Sequence, residues 1–111
     1  MEIRELLDAR DAAVSQHDLT AYETLLITDY HAPQQTRQSI ITKMRHLFAQ
    51  FKQIEMKSNN RFIRMNDSTH AECEQSYILR VFADGDWRQL SERERLQLTK
   101  TPNGWKISGG L

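Results

Sequence analysis

An acid, a phenol and an imidazole stand together at Asp29-Tyr30-His31. Imidazole titrates near neutrality and a carboxylate can orient it, so the trio has the residue types for proton transfer. Adjacent residues of an extended chain point apart, however, which favours ligand contact or a structural place at the edge of a pocket over catalysis. A second group is Gln75 and Tyr77, two apart in an alternating stretch, with Leu79 and Val81 in the same phase. On a covered face their polar tips can hold a small ligand or satisfy one another. Arg61, Arg64 and His46 supply positive charge, and Arg64 lies between Ile63 and Met65, which implies partial burial. The candidate ligand-binding residues are therefore Asp29, Tyr30, His31, Arg64, Gln75 and Tyr77. No residue is assigned a catalytic role.

Other chemistry is limited by what the 111 residues contain. Cys73 is the single cysteine, so no intrachain disulfide can form and a cysteine zinc cluster is excluded. It shares the phase of Gln75 and Tyr77 and reads as a small apolar residue with no base beside it. His17, His31, His46 and His70 have no metal-ligand spacing, and neither a metal nor a cofactor is expected. Glu72 and Glu74 can face Arg93 and Arg95 across two strands; such exposed pairs add only a few tenths of a kcal/mol, about 0.2–1 each. Fifteen basic and fifteen acidic residues give zero formal charge. With no unbroken basic stripe, nucleic acid is not an expected partner. No apolar run approaches the roughly 20 residues that cross a bilayer, so no membrane association is expected. The opening MEIRELLDARDAA has no apolar leader, which implies the cytoplasm if Met1 is the natural start.

The elements that must position these residues are legible in their periods. Ile3, Leu6, Leu7, Arg10, Ala13 and Val14 recur at helical spacing between Glu2 and His17. A second helix is expected from Thr20, with Glu23 completing a capping box, and it should stop before Asp29. Pro33 prevents its continuation. A third helix, 36–51, carries Ile40, Ile41, Met44, Leu47, Phe48 and Phe51 on one side. The period then drops to two: a strand from Gln53, bent or bulged at Asn59-Asn60 and continuing to Met65, then long strands over 70–82 and 87–100 joined at Asp84-Gly85-Asp86. Ala71, Cys73, Gln75, Tyr77, Leu79 and Val81 share one face; Leu90, Glu92, Glu94, Leu96 and Leu98 share one on the next strand. A turn at Thr101-Pro102-Asn103-Gly104 leads to a last strand, Trp105–Ser108, and Trp87 and Trp105 should pack over the sheet ends. Helices first and a meander afterwards indicate one α+β domain spanning 1–111: three N-terminal helices packed on a curved antiparallel β-sheet.

Three stretches, LLDARDAAVSQHDLTAYETLLITDY, QSIITKMRHLFAQFKQIEM and the run from Ala71 to Ser108 that ends in G-W-K-I, resemble in order and spacing the NTF2-like superfamily, the SnoaL-like or cystatin-like α+β cone. The final strands also resemble NTF2-like domains attached to bacterial envelope enzymes, with Gln75 and Tyr77, Leu96 and Leu98, and Trp105 to Ile107 carrying the match. The resemblance implies a cone whose interior can take a small apolar or amphipathic ligand, and a homodimer through the sheet face. Superfamily isomerases use a first-helix tyrosine with carboxylates in the cone; this first helix has none, and only residues 28–35 separate the second and third helices, which implies an open or shallow mouth. The expectation is a noncatalytic module binding a small molecule or a protein partner. The alternatives are a small isomerase or hydrolase using Asp29, His31 or Tyr77, and an accessory domain of a larger envelope or signalling protein.

Overall fold

The computed structural model describes residues 1–111. Helix α1, Ile3–Ser15, buries Ile3, Leu6, Leu7, Arg10, Ala13 and Val14, the side set by its sequence period. It ends at His17, whose φ of 56° is left-handed. That ring is held by the Phe51 carbonyl at 2.6 Å and lies against Phe48, so tertiary contacts support a conformation that side chains rarely adopt. Helix α2 is short, Leu19–Thr24, and its cap is Asp18 rather than Thr20. The left-handed turn at His17 brings the Asp18 carboxylate within 3.0 Å of the Ala21 amide, so the helix begins one residue before the expected cap.

After α2 the chain runs beside the last strand, where the Ile27 amide bonds the Ile107 carbonyl at 3.0 Å. It then forms a small hairpin, β1 (His31–Ala32) and β2 (Gln35–Thr36), in the segment that sequence alone left as a connection. Helix α3, Arg37–Gln50, starts at Thr36, whose hydroxyl accepts from the Ser39 amide while Ser39 Oγ accepts from the Thr36 amide. Only Ile40 and Ile41 of α3 are fully buried.

Four antiparallel strands follow in the order β3 (Ile54–Met65), β4 (His70–Ala83), β5 (Asp86–Thr101) and β6 (Gly104–Gly109). Asp84 and Gly85, both at positive φ, make the two-residue turn that matches the twist of β4 and β5. The register of β3 on β4 slips between Asn59 and Phe62, with Asn60 at φ 52°. The bulge adds curvature and moves every later side chain of β3 to the opposite face. Arg61 and Ile63 therefore face inward, while Phe62 and Arg64 face outward.

The edge of β3 is covered by α1. Ser15 Oγ accepts from the Met56 amide at 2.9 Å, and the Asp11 carboxylate takes the Ser58 amide and hydroxyl at 2.9 and 2.8 Å. Strand amides that would otherwise template another chain are thereby satisfied. The core lies between α1 and the inner sheet face, with Leu6, Leu7, Cys73, Leu96, Leu98 and Ile107 essentially inaccessible. Trp105 joins this core. Trp87 stays half-buried on the outer face, edge-on to Phe82 and beneath the Arg80 guanidinium at 4.6 Å. No helix is long and apolar enough to cross a membrane.

Candidate functional site

The helices do not fill the concave side of the sheet. Between α3 and the inward faces of β3, β4 and β5 lies a cavity of about 780 Å³. Ile40, Met44 and Leu47 from α3 form one wall, and Met56, Tyr77, Leu79 and Leu90 form the other. Exposed Lys43, His46, Gln50 and Glu92 stand at its rim. The α3 face toward this space is apolar yet incompletely covered, which is why that helix buries so little.

The inner end of the cavity is polar. Arg10, on the apolar stripe of α1, is 3 % exposed and extends toward β5. Both of its terminal nitrogens bond Glu94: Nη1 to Oε1 at 3.1 Å, and Nη2 to Oε2. Burial opposes the guanidinium charge, but the bonds and charge of Glu94 outweigh it and hold the Arg10 pKa above its ordinary value. The group stays a cation, and its face lies 5.9 Å from the centre of the Tyr77 ring.

Gln75, fully buried, extends this pair sideways. Its Nε2 donates to Glu94 Oε2 at 2.8 Å and to Ser58 Oγ at 3.3 Å, and its Oε1 accepts from Arg61 Nε at 3.0 Å. A carboxylate can only accept and a guanidinium can only donate, so these partners define which way the amide points. Arg61 continues to Asp8 on α1 at 3.0 Å. The result is a relay, Asp8–Arg61–Gln75–Glu94–Arg10, alternating donors and acceptors from the surface to the cavity. Arg61 can take part because the Asn59–Phe62 bulge turns it inward.

Two phenols complete the lining. Burial pushes the Tyr22 pKa up to about 12, with Arg10 pulling against it and Glu94 adding to it. Tyr77 is raised by burial and by Glu94 and Glu92. Both are therefore protonated at neutral pH and can donate a hydrogen bond. The Cys73 thiol is also raised, mainly by burial, and stays protonated. No group of three or more His, Cys, Asp or Glu side chains is arranged to hold a metal ion.

The residues singled out in the sequence fall in different places. Gln75 and Tyr77 face inward, one in the relay and one in the lining. Tyr30 is buried, and its hydroxyl accepts from the Leu111 amide at 3.1 Å, which holds the Leu111 side chain against the cavity. Asp29 and His31 are exposed and lie outside the lining. The three neighbours thus do not converge, as expected for an extended segment. Arg64 is not half-buried: it lies on the outer face, paired with Glu72 at 2.9 Å, because the bulge reverses its phase. Sequence reading passed over Arg10 and Glu94. The signal was there, since each is a charged residue in an apolar phase, one on α1 and one on β5, and their signs are opposite.

A short helical half that leaves a lined cavity against a bulged four-stranded meander defines an α+β cone with an interior pocket. Solved structures place it more closely. The chain is similar to an NTF2-like superfamily protein from Salmonella enterica serovar Typhimurium, with a TM-score of 0.83 and 18 % identity over 96 % of this chain and 83 % of that one. It is similar to an NTF2-like protein with a cystatin-like fold from Novosphingobium aromaticivorans, with a TM-score of 0.77 and 16 % identity over 96 % and 75 %. The protein Kfla4162 from Kribbella flavida gives 0.84 and 17 % over 98 % and 85 %. At these identities the likeness is one of fold, and the fold is NTF2-like. No family model and no curated protein matches the sequence.

Proposed function

We propose that this domain is a noncatalytic binding module that takes a small amphipathic molecule into the cone. The observation that carries the reading is the inner end of the cavity, where the buried Arg10 cation and the Glu94 carboxylate beside it are bonded to each other. A general base needs a free lone pair and an acid needs a transferable proton. Here both Arg10 terminal nitrogens and both Glu94 oxygens are engaged with each other and with Gln75, and burial makes the Tyr22 and Tyr77 phenols weaker acids than a free tyrosine. A pocket of about 780 Å³ with a half-apolar lining falls in the size range of small-molecule sites.

A neutral apolar fluorophore such as N-phenyl-1-naphthylamine tests this directly. It is expected to brighten and saturate at one molecule per chain. Leu79→Trp, which places an indole in the cavity from a half-buried sheet position, should weaken that binding at least tenfold, a loss of about 1.4 kcal/mol. Equal binding to both proteins would mean that the dye sits elsewhere, and the reading would fail.

The outer sheet face supports a second proposal, a homodimer through the sheets. Phe62 and Phe82 are exposed there at 65 % and 38 %. Around them stand Glu74 with Arg93 and Arg95, and Glu55 with Arg80, a mixed apolar and charged surface suited to pairing with its own copy. Sedimentation equilibrium is expected to give a dimer at about 100 μM and a monomer for Phe62→Lys. A wild-type monomer at that concentration would remove this proposal and leave the cavity reading intact.

A further inference from the structure

We propose that the free edge of β5 joins a second copy of this chain, strand to antiparallel strand, in a register centred on Leu90. Strand β6 pairs with β5 only from Gln97 to Thr101. Gly110, at φ 90°, then packs so closely on the Arg95 carbonyl that no side chain would fit there. At its other end β5 begins at the Asp84-Gly85 turn. Between these limits β5 has β4 on one side and no strand on the other, and every residue from Arg88 to Arg93 is exposed. On the opposite edge of the sheet, by contrast, α1 takes the Met56 and Ser58 amides. The phase along β5 shows which groups are free. The Lys100 amide bonds the Thr69 carbonyl at 2.8 Å, and the β4–β5 register then runs without a shift to Ala83 and Asp86. Even-numbered residues of β5 therefore turn their N–H and C=O groups toward β4, and odd-numbered ones turn theirs to the edge. The Trp87 amide, the first of these, is taken by Asp86 Oδ1 at 2.9 Å. Gln89, Ser91 and Arg93 remain, a row of the kind that templates another strand.

The residues of this stretch select its own copy. A two-fold axis perpendicular to the sheet keeps inward residues opposite inward residues. Centred on Leu90, it sets the two Leu90 side chains, each 47 % exposed, against each other. On the same face Arg88 then meets Glu92 twice, and on the outer face Trp87 meets Arg93 twice. Gln89 and Ser91 exchange the backbone bonds. The ion pair that Arg88 makes within its own chain, with Asp84 at 3.5 Å, is exposed at both ends and costs little to exchange. Neighbouring registers lack this match. One centred on Ser91 sets each Leu90 against Glu92, one centred on Glu92 sets that carboxylate against itself, and one centred on Gln89 sets Asp86 against Glu92. Leu90 and Glu92 line the cavity, so the second copy brings its Leu90 and Arg88 to the rim. The edge is separate from the outer-face pairing through Phe62. It joins one strand to one strand, a smaller contact, and so forms at higher concentration.

Phe62→Lys, which removes the outer-face pairing, isolates the edge. That variant is expected to be a monomer at about 100 μM and mostly a dimer at about 2 mM, with a dissociation constant of about 1 mM. In nitrogen–proton NMR spectra the Gln89, Ser91 and Arg93 amide signals should shift most over this range. Added to Phe62→Lys, either Arg88→Glu or Glu92→Arg sets like charges opposite each other and should weaken association about tenfold or more. The two together restore opposite charges and should restore association. A cross-link reads the register without any charge change. Leu90→Cys should form a disulfide with its own copy under mild oxidation, because directly opposed residues of a non-hydrogen-bonded antiparallel pair stand about 4.5 Å apart at Cα. Gln89→Cys, opposite Ser91, should not, and Cys73 is buried. A monomer at about 2 mM with unmoved edge amides would overturn the inference and leave the edge to a strand of another protein. Association that the paired charge reversal fails to restore, or cross-linking at position 89 rather than 90, would overturn it as well.

Discussion

Replacing Arg10 by methionine while Glu94 remains is expected to destabilise the domain by about 3–5 kcal/mol. The side chains are 4 % and 10 % exposed, so solvent screens this pair far less than a surface one. The loss comes less from the missing attraction than from what stays behind: a carboxylate enclosed between α1 and β5 with only the Gln75 amide facing it. The second substitution distinguishes these two causes. In Arg10→Met/Glu94→Gln the stranded charge is gone and the new amide still accepts from Gln75, so most of the lost stability should return. Urea midpoints for the wild type, both single variants and the pair measure the cycle, provided the slopes agree. A cost below about 1 kcal/mol for Arg10→Met would show that the pair behaves as an exposed one and would remove it as the organising feature of the cavity.

Above pH 10, stability is expected to fall in a way that depends on one phenol. Tyr22 is pushed up to about 12 in the folded protein, chiefly by burial, against an ordinary value of 10. The sign follows from proton uptake. Between these values the folded chain keeps the Tyr22 proton while the unfolded chain releases it, so rising pH favours unfolding. The contribution is fully present below about pH 10, declines through the interval and is gone above about 12. Two pH units correspond to roughly 2.7 kcal/mol, a magnitude that applies because the residue is 4 % exposed. Tyr22→Phe keeps the ring and removes the titration, so between pH 10 and 12 it should lose about 2–3 kcal/mol less than the wild type. Tyrosinate absorbance of the folded protein should show a late phase that vanishes in the variant. Parallel stability curves for the two proteins would mean that the hydroxyl reaches solvent and that the inner end of the cavity is wet.

Both results concern the same place, where an apolar stripe carries one charge. A leucine at position 10 would complete the α1 stripe, and a leucine at 94 would extend the inward apolar phase of Leu96 and Leu98 on β5. Their replacement by a matched pair gives the cone a polar end without a net charge. That is the property from which the binding proposal starts: an apolar ligand body is accommodated by α3 and the sheet, and its polar end meets groups fixed by a relay running back to Asp8.

The sequence by itself determined the three helices, the four strands of the sheet and most of their faces. The spacing of Leu6, Leu7, Ala13 and Val14 marks the buried side of α1, and the alternation from Ala71 to Val81 turns Gln75 and Tyr77 inward, because both patterns repeat over a few residues and need no distant partner. The Asp84-Gly85 turn is equally local, since its backbone angles suit few other residues. The tertiary structure decided what depends on register and on residues far apart in the chain. One inserted residue near Asn60 exchanged Arg64 for Arg61 on the inner face, and alternation cannot show on which side of a bulge the phase resumes. Asp18 displaced Thr20 as the α2 cap through the tertiary support of His17, a contact with Phe51 that lies well beyond the helix. Arg10 and Glu94 are 84 positions apart, and only the packing of α1 over β5 makes each the solution to the other's burial. Charges in apolar phases can be found by reading along a chain; which of them meet is settled by the fold, because the energy that justifies them exists only when both are taken out of water together.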